Sequence, residues 1–221
     1  MRKKAIILFS GGVDSTVVLA LALAQQRDCL TISFDYGQKH RIELSHAEAI
    51  AEHFHVPNRC IKIDPSVFGK SSLTSSMKVP KDRSLEDIGD QSIPSTYVPA
   101  RNTLFLSFAL GICETHGAHE IHFGPNLMDQ ASYPDCRPAY LNAFQNLIDL
   151  GTKQAVESTP PQLITPLVKL VKAEIISLGL ALKAPLELTF SCYSPLTDNK
   201  PCKRCDACTI RAQGFKLAGL A

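Results

Sequence analysis

Short apolar runs alternate with helical stripes along this chain. Residues 5–9 form a continuous apolar run, as a parallel strand buried on both faces requires. A turn at 10–14 follows, and residues 15–26 read as an apolar helix. Residues 30–36 read as a second strand. Residues 40–55 have helical spacing, with Ile42, Ala49, Ile50 and Phe54 on one stripe, and 59–63 read as a third strand. This β-α-β-α-β order predicts an α/β fold, a parallel sheet with helices on both faces. Residues 64–97 break the rhythm with Ser, Pro and charge, and predict a long functional loop with at most a short ordered segment. Beyond it, 101–115 predict a helix and 120–123 a strand. Residues 139–150 predict a helix with Leu141, Phe144, Leu147 and Ile148 on one side. Residues 170–178 predict another, ended at Gly179.

Composition narrows the class. With 221 residues, 45% hydrophobic and 20% charged, the chain supports a full core and is neither disordered nor a disulfide-stapled miniature. The expected organisation is one α/β domain over 1–190 with a small C-terminal segment, 191–221, packed on it. A formal net charge of +2 argues against a broad nucleic-acid surface. The apolar stretch 17–24 is too short for a membrane span. Arg2, Lys3 and Lys4 before an apolar run resemble a signal peptide, but Gly11, Gly12 and Asp14 interrupt it early, so the expected location is the cytoplasm.

Two constellations carry chemistry. The first is Ser10-Gly11-Gly12-Val13-Asp14-Ser15, set between strand and helix. Two glycines allow a tight turn and close backbone approach to an anion, and helix-terminal amides then face that anion. Ser10 and Ser15 add hydroxyls. Asp14 is a candidate helix cap and a candidate Mg2+ ligand. The string lacks the Lys-Ser/Thr of a Walker loop and the glycine spacing of the dinucleotide fingerprint. A plain glycine turn with an Asp cap is the competing reading.

The second is Cys192, Cys202, Cys205 and Cys208, spaced C-x9-C-x2-C-x2-C. Four crowded thiolates match a closed, structural Zn2+ site, with Lys200, Lys203 and Arg204 offsetting the charge. An iron–sulfur cluster and four unrelated buried cysteines are the alternatives. Cys29, Cys60, Cys113 and Cys136 are scattered, which argues against a disulfide framework.

The loop string after the first strand resembles the pyrophosphate loop of the ATP-pyrophosphatase superfamily. Further strings converge on one family within it: residues 34–40 (FDYGQKH), 94–102 (PSTYVPARN), 133–138 (YPDCRP) and 187–193 (ELTFSCY). Together with the loop and the cysteines, over about 5–215, they resemble the 7-cyano-7-deazaguanine synthases of queuosine biosynthesis. One departure is visible: Gln130-Ala131-Ser132 stand where the family has Tyr-Ser-Gly, which bears on one pocket wall.

The resemblance implies a Rossmann-like adenine nucleotide alpha-hydrolase fold. It also implies an ATP-dependent ligase that converts 7-carboxy-7-deazaguanine and ammonia to the nitrile, releasing AMP and pyrophosphate. ATP with Mg2+ and one structural Zn2+ are the expected cofactors. The expected partners are small molecules only, with neither nucleic acid nor membrane, and a homodimer fits the family. No glutaminase-like region is visible, so ammonia is expected from solution or from a partner.

By position, Phe9, Ser10, Gly11, Gly12, Val13, Asp14, Ser15, Thr16, Val17, Val18 and Leu19 form the expected nucleotide segment. Ser10, Asp14, Ser15 and Arg101 are the expected catalytic group, Arg101 through bidentate contact with phosphate or carboxylate, against an ordinary surface ion pair. Asp129, Tyr133 and Asp135 are substrate candidates, with capping or turn formation as the alternative for the aspartates.

Other residues read more plainly. His116, His119 and His122 straddle a helix end and are not expected to converge on a metal. Cys136 is expected to pack rather than attack. Arg41, Arg137, Lys169 and Lys172 are candidates for steering ATP, with solvated surface positions as the default expectation. Two further functions compete with the ligase: another ATP pyrophosphatase acting on tRNA, and a zinc-knuckle module binding nucleic acid. The first wants a basic surface. The second wants aromatics among the cysteines, where only Tyr193 stands.

Overall fold

A computed structural model describes residues 2–69, 71–88 and 92–220. Among the described residues, five parallel strands form one sheet in the order β3-β2-β1-β4-β5. They are β1 (Lys4–Leu8), β2 (Asp28–Asp35), β3 (Asn58–Lys62), β4 (Glu120–His122) and β5 (Gln162–Ile164). Helices α1 (Val13–Ala24), α2 (Glu43–His53) and α8 (Lys172–Ala181) lie on one face. Helices α4 (Arg101–His116) and α6 (Pro138–Gly151) lie on the other. The short helices are α3 (Leu85–Ile88), α5 (Leu127–Ser132) and α7 (Lys153–Glu157), and α9 (Asp206–Leu217) closes the chain.

Side chains alternate across a strand, so β1 supplies both cores. Ile6 and Leu8 join Ile32, Phe34, Leu106 and Phe144. Ala5 and Ile7 join Val17, Leu19, Ile50 and Ile175. Each fully buried Val, Leu or Ile contributes about 1.5–3 kcal/mol. The run at 5–9 is apolar throughout because both faces of this central strand are covered.

The predicted elements recur with small shifts in their ends. Three features differ. The strand β5 is three residues between prolines, too short to show a period. Helices α5 and α7 occupy segments that carry no apolar stripe. Gly179 does not end its helix but lies inside α8, where an added Cβ would stand 2.8 Å from Val17 Cγ2 and 3.1 Å from Leu186 Cδ2. This glycine is there for close packing of α8 on α1.

The loop at 64–97, of which residues 70 and 89–91 lie outside the described residues, packs inward through Phe68, Leu73 and Val79. It is tied to the cysteine segment: Lys81 bridges Cys205, the Asp82 amide donates to the Arg204 carbonyl at 2.8 Å, and Arg83 pairs with Asp206 at 2.9 Å. Among the described residues, no helix is long and apolar enough to cross a membrane.

Candidate active site

Sheet order reverses direction of growth between β1 and β4, and in open α/β sheets ligands bind where it does so, outside the carboxyl ends of the strands. The segment after β1 is the glycine loop. Gly11 has φ +76°, and a Cβ there would lie 2.6 Å from the Ala47 amide nitrogen, so only glycine fits. The Ser10 and Ser15 hydroxyls stand 3.2 Å apart. Ser10 Oγ accepts from the Gly12 amide at 3.3 Å, and Ser15 Oγ donates to the Gly12 carbonyl at 3.2 Å.

Gly12, not Asp14, is the N-cap of α1, and no side chain caps the helix. The expected Asp14 cap is therefore corrected: Asp14 lies in the first turn, and its carboxylate is turned aside. Both of its oxygens receive Lys172 Nζ at 2.6 Å, and Oδ2 also accepts from Asn126 Nδ2 at 3.1 Å. The amides of Val13, Asp14 and Ser15 are left without partners among the described residues. Three free N–H groups at a helix N-terminus form an anion cradle.

Two clefts meet at this loop. One, of about 180 Å³, is lined by Ser10, Gly12, Val13, Asp14, Ser15, Asn126, Lys172 and Arg211 among others. It brings loop amides, the cations Lys172 and Arg211 and the carboxylates Asp14, Glu43 and Asp129 together. The second, of about 240 Å³, is lined by Phe9, Phe34, Tyr36, Arg101, Phe105, Phe123, Asp129, Tyr133 and Cys136 among others. Ser10, Asp14, Ser15, His40, Glu43, Asp129 and Tyr193 border both.

Arg101 opens α4 immediately after Ala100, a non-glycine in the left-handed region at φ +54°. Such backbone costs on the order of 1–3 kcal/mol and is held by its surroundings. Arg101 is not a surface ion pair. It is half-buried, reaches Tyr36 Oη and Asn102 Oδ1 at 3.4 Å, and has no carboxylate partner among the described residues.

Asp129 is the third residue of α5 and forms a capping box with Asn126, accepting from the Asn126 amide at 3.0 Å. It also lines the aromatic cleft. Burial, with Asp14 adding repulsion, pushes its carboxyl up to about 6. Tyr133 lines the cleft and shares a 3.1 Å bond with Thr96 Oγ1. Asp135 sits behind the wall and accepts from the Asn102 amide at 3.3 Å, its carboxyl raised by burial. Cys136 accepts from Asn102 Nδ2 at 3.4 Å, and burial pushes its thiol up, which opposes a nucleophilic role.

Two features escaped the sequence reading. Lys172 is not a solvated surface lysine but the partner of Asp14 on the phosphate-side cleft, with a side chain only 15% exposed. His40 is buried at the junction of the clefts, with Nε2 3.4 Å from Glu43 Oε2 and Nδ1 without a partner. Burial lowers its pKa against the pull of Glu43. The spacing of Gln38, His40 and Glu43, where Gln38 Nε2 donates to Glu43 Oε1 at 2.8 Å, was the available signal.

Elsewhere, Arg41 pairs with Asp35 at 2.6 Å on the surface, and Arg137 donates to the Gln130 carbonyl at 3.0 Å. The three histidines do not converge. His116 and His119 are exposed, whereas His122 is buried 2.9 Å from Glu120 Oε2.

Cys192, Cys202, Cys205 and Cys208 are buried, with their Sγ atoms all within 4.8 Å of one another. Cys192 and Cys205 stand 4.0 Å apart, far beyond a disulfide. Amides of Cys202 and Cys205 donate to Cys192 Sγ and Cys202 Sγ at 3.2 and 3.3 Å, as they would to thiolates. A tetrahedral ion with metal–sulfur bonds of about 2.3 Å needs sulfurs about 3.8 Å apart. The donor set fits one bound metal ion.

A family model described as "Queuosine biosynthesis protein QueC" matches residues 4–219. The chain belongs to the QueC family. It is 48% identical to a 7-cyano-7-deazaguanine synthase of Cellvibrio japonicus (strain Ueda107), over 100% of this chain and 96% of that protein. It is 45% identical to a 7-cyano-7-deazaguanine synthase of Thermoplasma volcanium, over 100% and 90%. Among solved structures, the U34-tRNA thiolase NcsA from Methanococcus maripaludis, described with its [4Fe-4S] cluster, superposes with a TM-score of 0.51 at 16% identity. That match covers 98% of this chain and 65% of the thiolase. NMN synthetase from Francisella tularensis gives a TM-score of 0.51 at 16% identity, over 100% and 78%. These distant structures share the QueC chain's fold.

Proposed function

We propose that this chain is an ATP-dependent carbon–nitrogen ligase making 7-cyano-7-deazaguanine from 7-carboxy-7-deazaguanine and ammonia, with release of AMP and pyrophosphate in queuosine biosynthesis. The observation that carries the reading is the meeting of the two clefts at Ser10–Ser15. A cradle of free amides beside Lys172 faces one side, and an aromatic slot holding Arg101, Asp129 and Tyr133 faces the other. Family membership supplies the substrate.

A carboxylate carbon is a poor electrophile, and its oxygen is a poor leaving group until adenylated. In the first round a carboxylate oxygen bonds to the α-phosphorus of ATP and the bond to the β-phosphate breaks. The departing pyrophosphate gains charge, which the amides of Val13, Asp14 and Ser15 stabilise without reorganisation. Ammonia adds to the acyl carbon, loses a proton, and AMP leaves, giving the amide. In the second round the amide oxygen attacks another ATP at the same loop. Loss of the remaining N–H protons and of AMP yields the nitrile. Each carboxylate oxygen ends on an AMP, so no water enters the balance.

Ser10 and Ser15 shape the loop and offer hydroxyls to phosphate. Of the segment from Phe9 to Leu19 expected to meet the nucleotide, Phe9, Ser10, Gly12, Val13, Asp14 and Ser15 line the clefts, whereas Thr16, Val17, Val18 and Leu19 are buried behind them and only support the loop. Arg101, an unpaired guanidinium in the aromatic slot, is suited to the substrate carboxylate or the α-phosphate. Asp129 is placed to accept N–H donors of the guanine-like edge, with Tyr133 beside it and Asp135 bracing the wall from behind. Mg2+ enters as the counter-ion of ATP, where it neutralises phosphate charge. A direct ligand role for Asp14 requires Lys172 to move off it, since both oxygens are engaged. The four thiolates suit a structural Zn2+ because their sulfurs are spaced for one ion. A four-iron cluster holds its thiolates farther apart. A closed tetrathiolate offers no open position for catalysis.

Incubation with Mg-ATP, ammonium and 7-carboxy-7-deazaguanine, followed by mass spectrometry, is expected to show the nitrile with AMP and pyrophosphate. AMP release with other acids and none with this one would defeat the substrate assignment.

A further inference from the structure

Helix α9 links the cysteine cluster to the phosphate-side cleft. It opens on Cys205 and carries Cys208 in its first turn, and Arg211 follows three residues on, on the same helix face. Arg211 Nη1 donates to Thr189 Oγ1 at 2.7 Å and to Ser191 Oγ at 3.4 Å, and Nη2 donates to the Leu186 carbonyl at 3.2 Å. The guanidinium stacks over Phe215 at 4.8 Å.

Every one of these partners is neutral, and the described residues give Arg211 no ion pair. Burial opposes its charge and lowers its pKa, with the nearby Cys208 side chain pulling the other way. A partly desolvated guanidinium hydrogen-bonded only to neutral groups carries a cost that an anion in direct contact would relieve. A guanidinium has five donors in a planar fork, and these bonds leave some of them free.

The position is also registered to the loop. Phe190, between the two hydroxyl partners of Arg211, donates its amide to the Gly11 carbonyl at 3.0 Å. Arg211 lines the cleft of about 180 Å³ together with Gly12 and Lys172. The amide cradle, Lys172 and Arg211 all border this one cleft.

We propose that Arg211 is a pyrophosphate-binding residue, set in place by the four-cysteine site through α9. The proposal rests on the ligase reading for the identity of the anion. It gives the closed metal site a consequence for catalysis, because an ordered first turn of α9 fixes where the guanidinium points. It also separates the two ends of ATP: Arg211 faces the departing phosphates and not the aromatic slot.

The test compares wild type with Arg211→Gln and Arg211→Lys, reading Mg-pyrophosphate binding by calorimetry, AMP inhibition, and metal content. In Arg211→Gln the dissociation constant for pyrophosphate is expected to rise about 10–100-fold. The AMP inhibition constant should stay within about twofold, with metal content unchanged. Arg211→Lys, which keeps the charge and loses the fork, is expected to fall between. If pyrophosphate and AMP weaken together, or neither moves in a folded, metal-loaded variant, Arg211 only packs the 186–191 segment and the proposal fails. Wild type that binds pyrophosphate through Arg211 but forms no AMP from ATP would sink the ligase reading and leave the anion site standing.

Discussion

Cys205→Ser is expected to lose the bound metal and to lower the melting temperature by on the order of 10 °C. Cys205 is fully buried, is the residue on which α9 begins, and bridges Lys81 of the long loop. Its cluster belongs to the same core as Ile6, Ile32 and Ile121, so its loss is felt by the sheet as well as by the terminal segment. An ion held at a thousandfold its dissociation constant stabilises the folded state by about 4 kcal/mol, and each kcal/mol is worth about 2–4 °C in a chain of this size. Metal analysis and a thermal scan on the same sample read both effects. A variant with full metal content and the wild-type melting temperature would remove the cluster as a metal site. Activity is expected to fall with the metal, since Tyr193, Arg211 and the loop from Lys81 to Arg83 all hang on this segment.

Lys172→Met is expected to reduce kcat/KM for ATP by about 10²–10³-fold, the usual loss when one charge-stabilising contact is removed from a leaving group. The fold should survive, because methionine keeps the stem that passes over Gly214, where an added Cβ would meet Lys172 Cγ at 2.4 Å. Two effects are combined in that loss. One is the missing cation. The other is the charge of Asp14, left with Asn126 alone and facing the incoming phosphates. The double variant Asp14→Asn with Lys172→Met separates them. If the double variant regains wild-type turnover, Lys172 only neutralises Asp14. Recovery of less than about tenfold makes Lys172 a phosphate contact in its own right.

These two residues also show what the chain discloses before folding. The loop from Ser10 to Ser15 is legible because strand, turn and helix are contiguous, and local chemistry dictates all three. The cysteines are legible because thiolate spacing is itself local in Cys202, Cys205 and Cys208. Lys172 was hidden: it is a lysine near the start of a helix, 158 positions from Asp14, and nothing in its neighbourhood separates it from a solvated one. His40 stood inside a motif, but its burial and its pairing with Glu43 depend on how the segment after β2 folds back over the cleft. Gly179 misled because a glycine that ends a helix and one that lets two helices touch look the same in sequence. Asp129 has the capping role weighed for it, and the same capping box places it at the edge of the aromatic cleft.

The central claim is that one loop activates a carboxylate twice by adenylation. It is tested most directly by supplying 7-carboxy-7-deazaguanine labelled with 18O in both carboxylate oxygens, with Mg-ATP and ammonium, and weighing the AMP. Unlabelled nitrile and AMP carrying a single 18O are expected, with two labelled AMP formed per nitrile. Unlabelled AMP, or label recovered in phosphate or water, would contradict it.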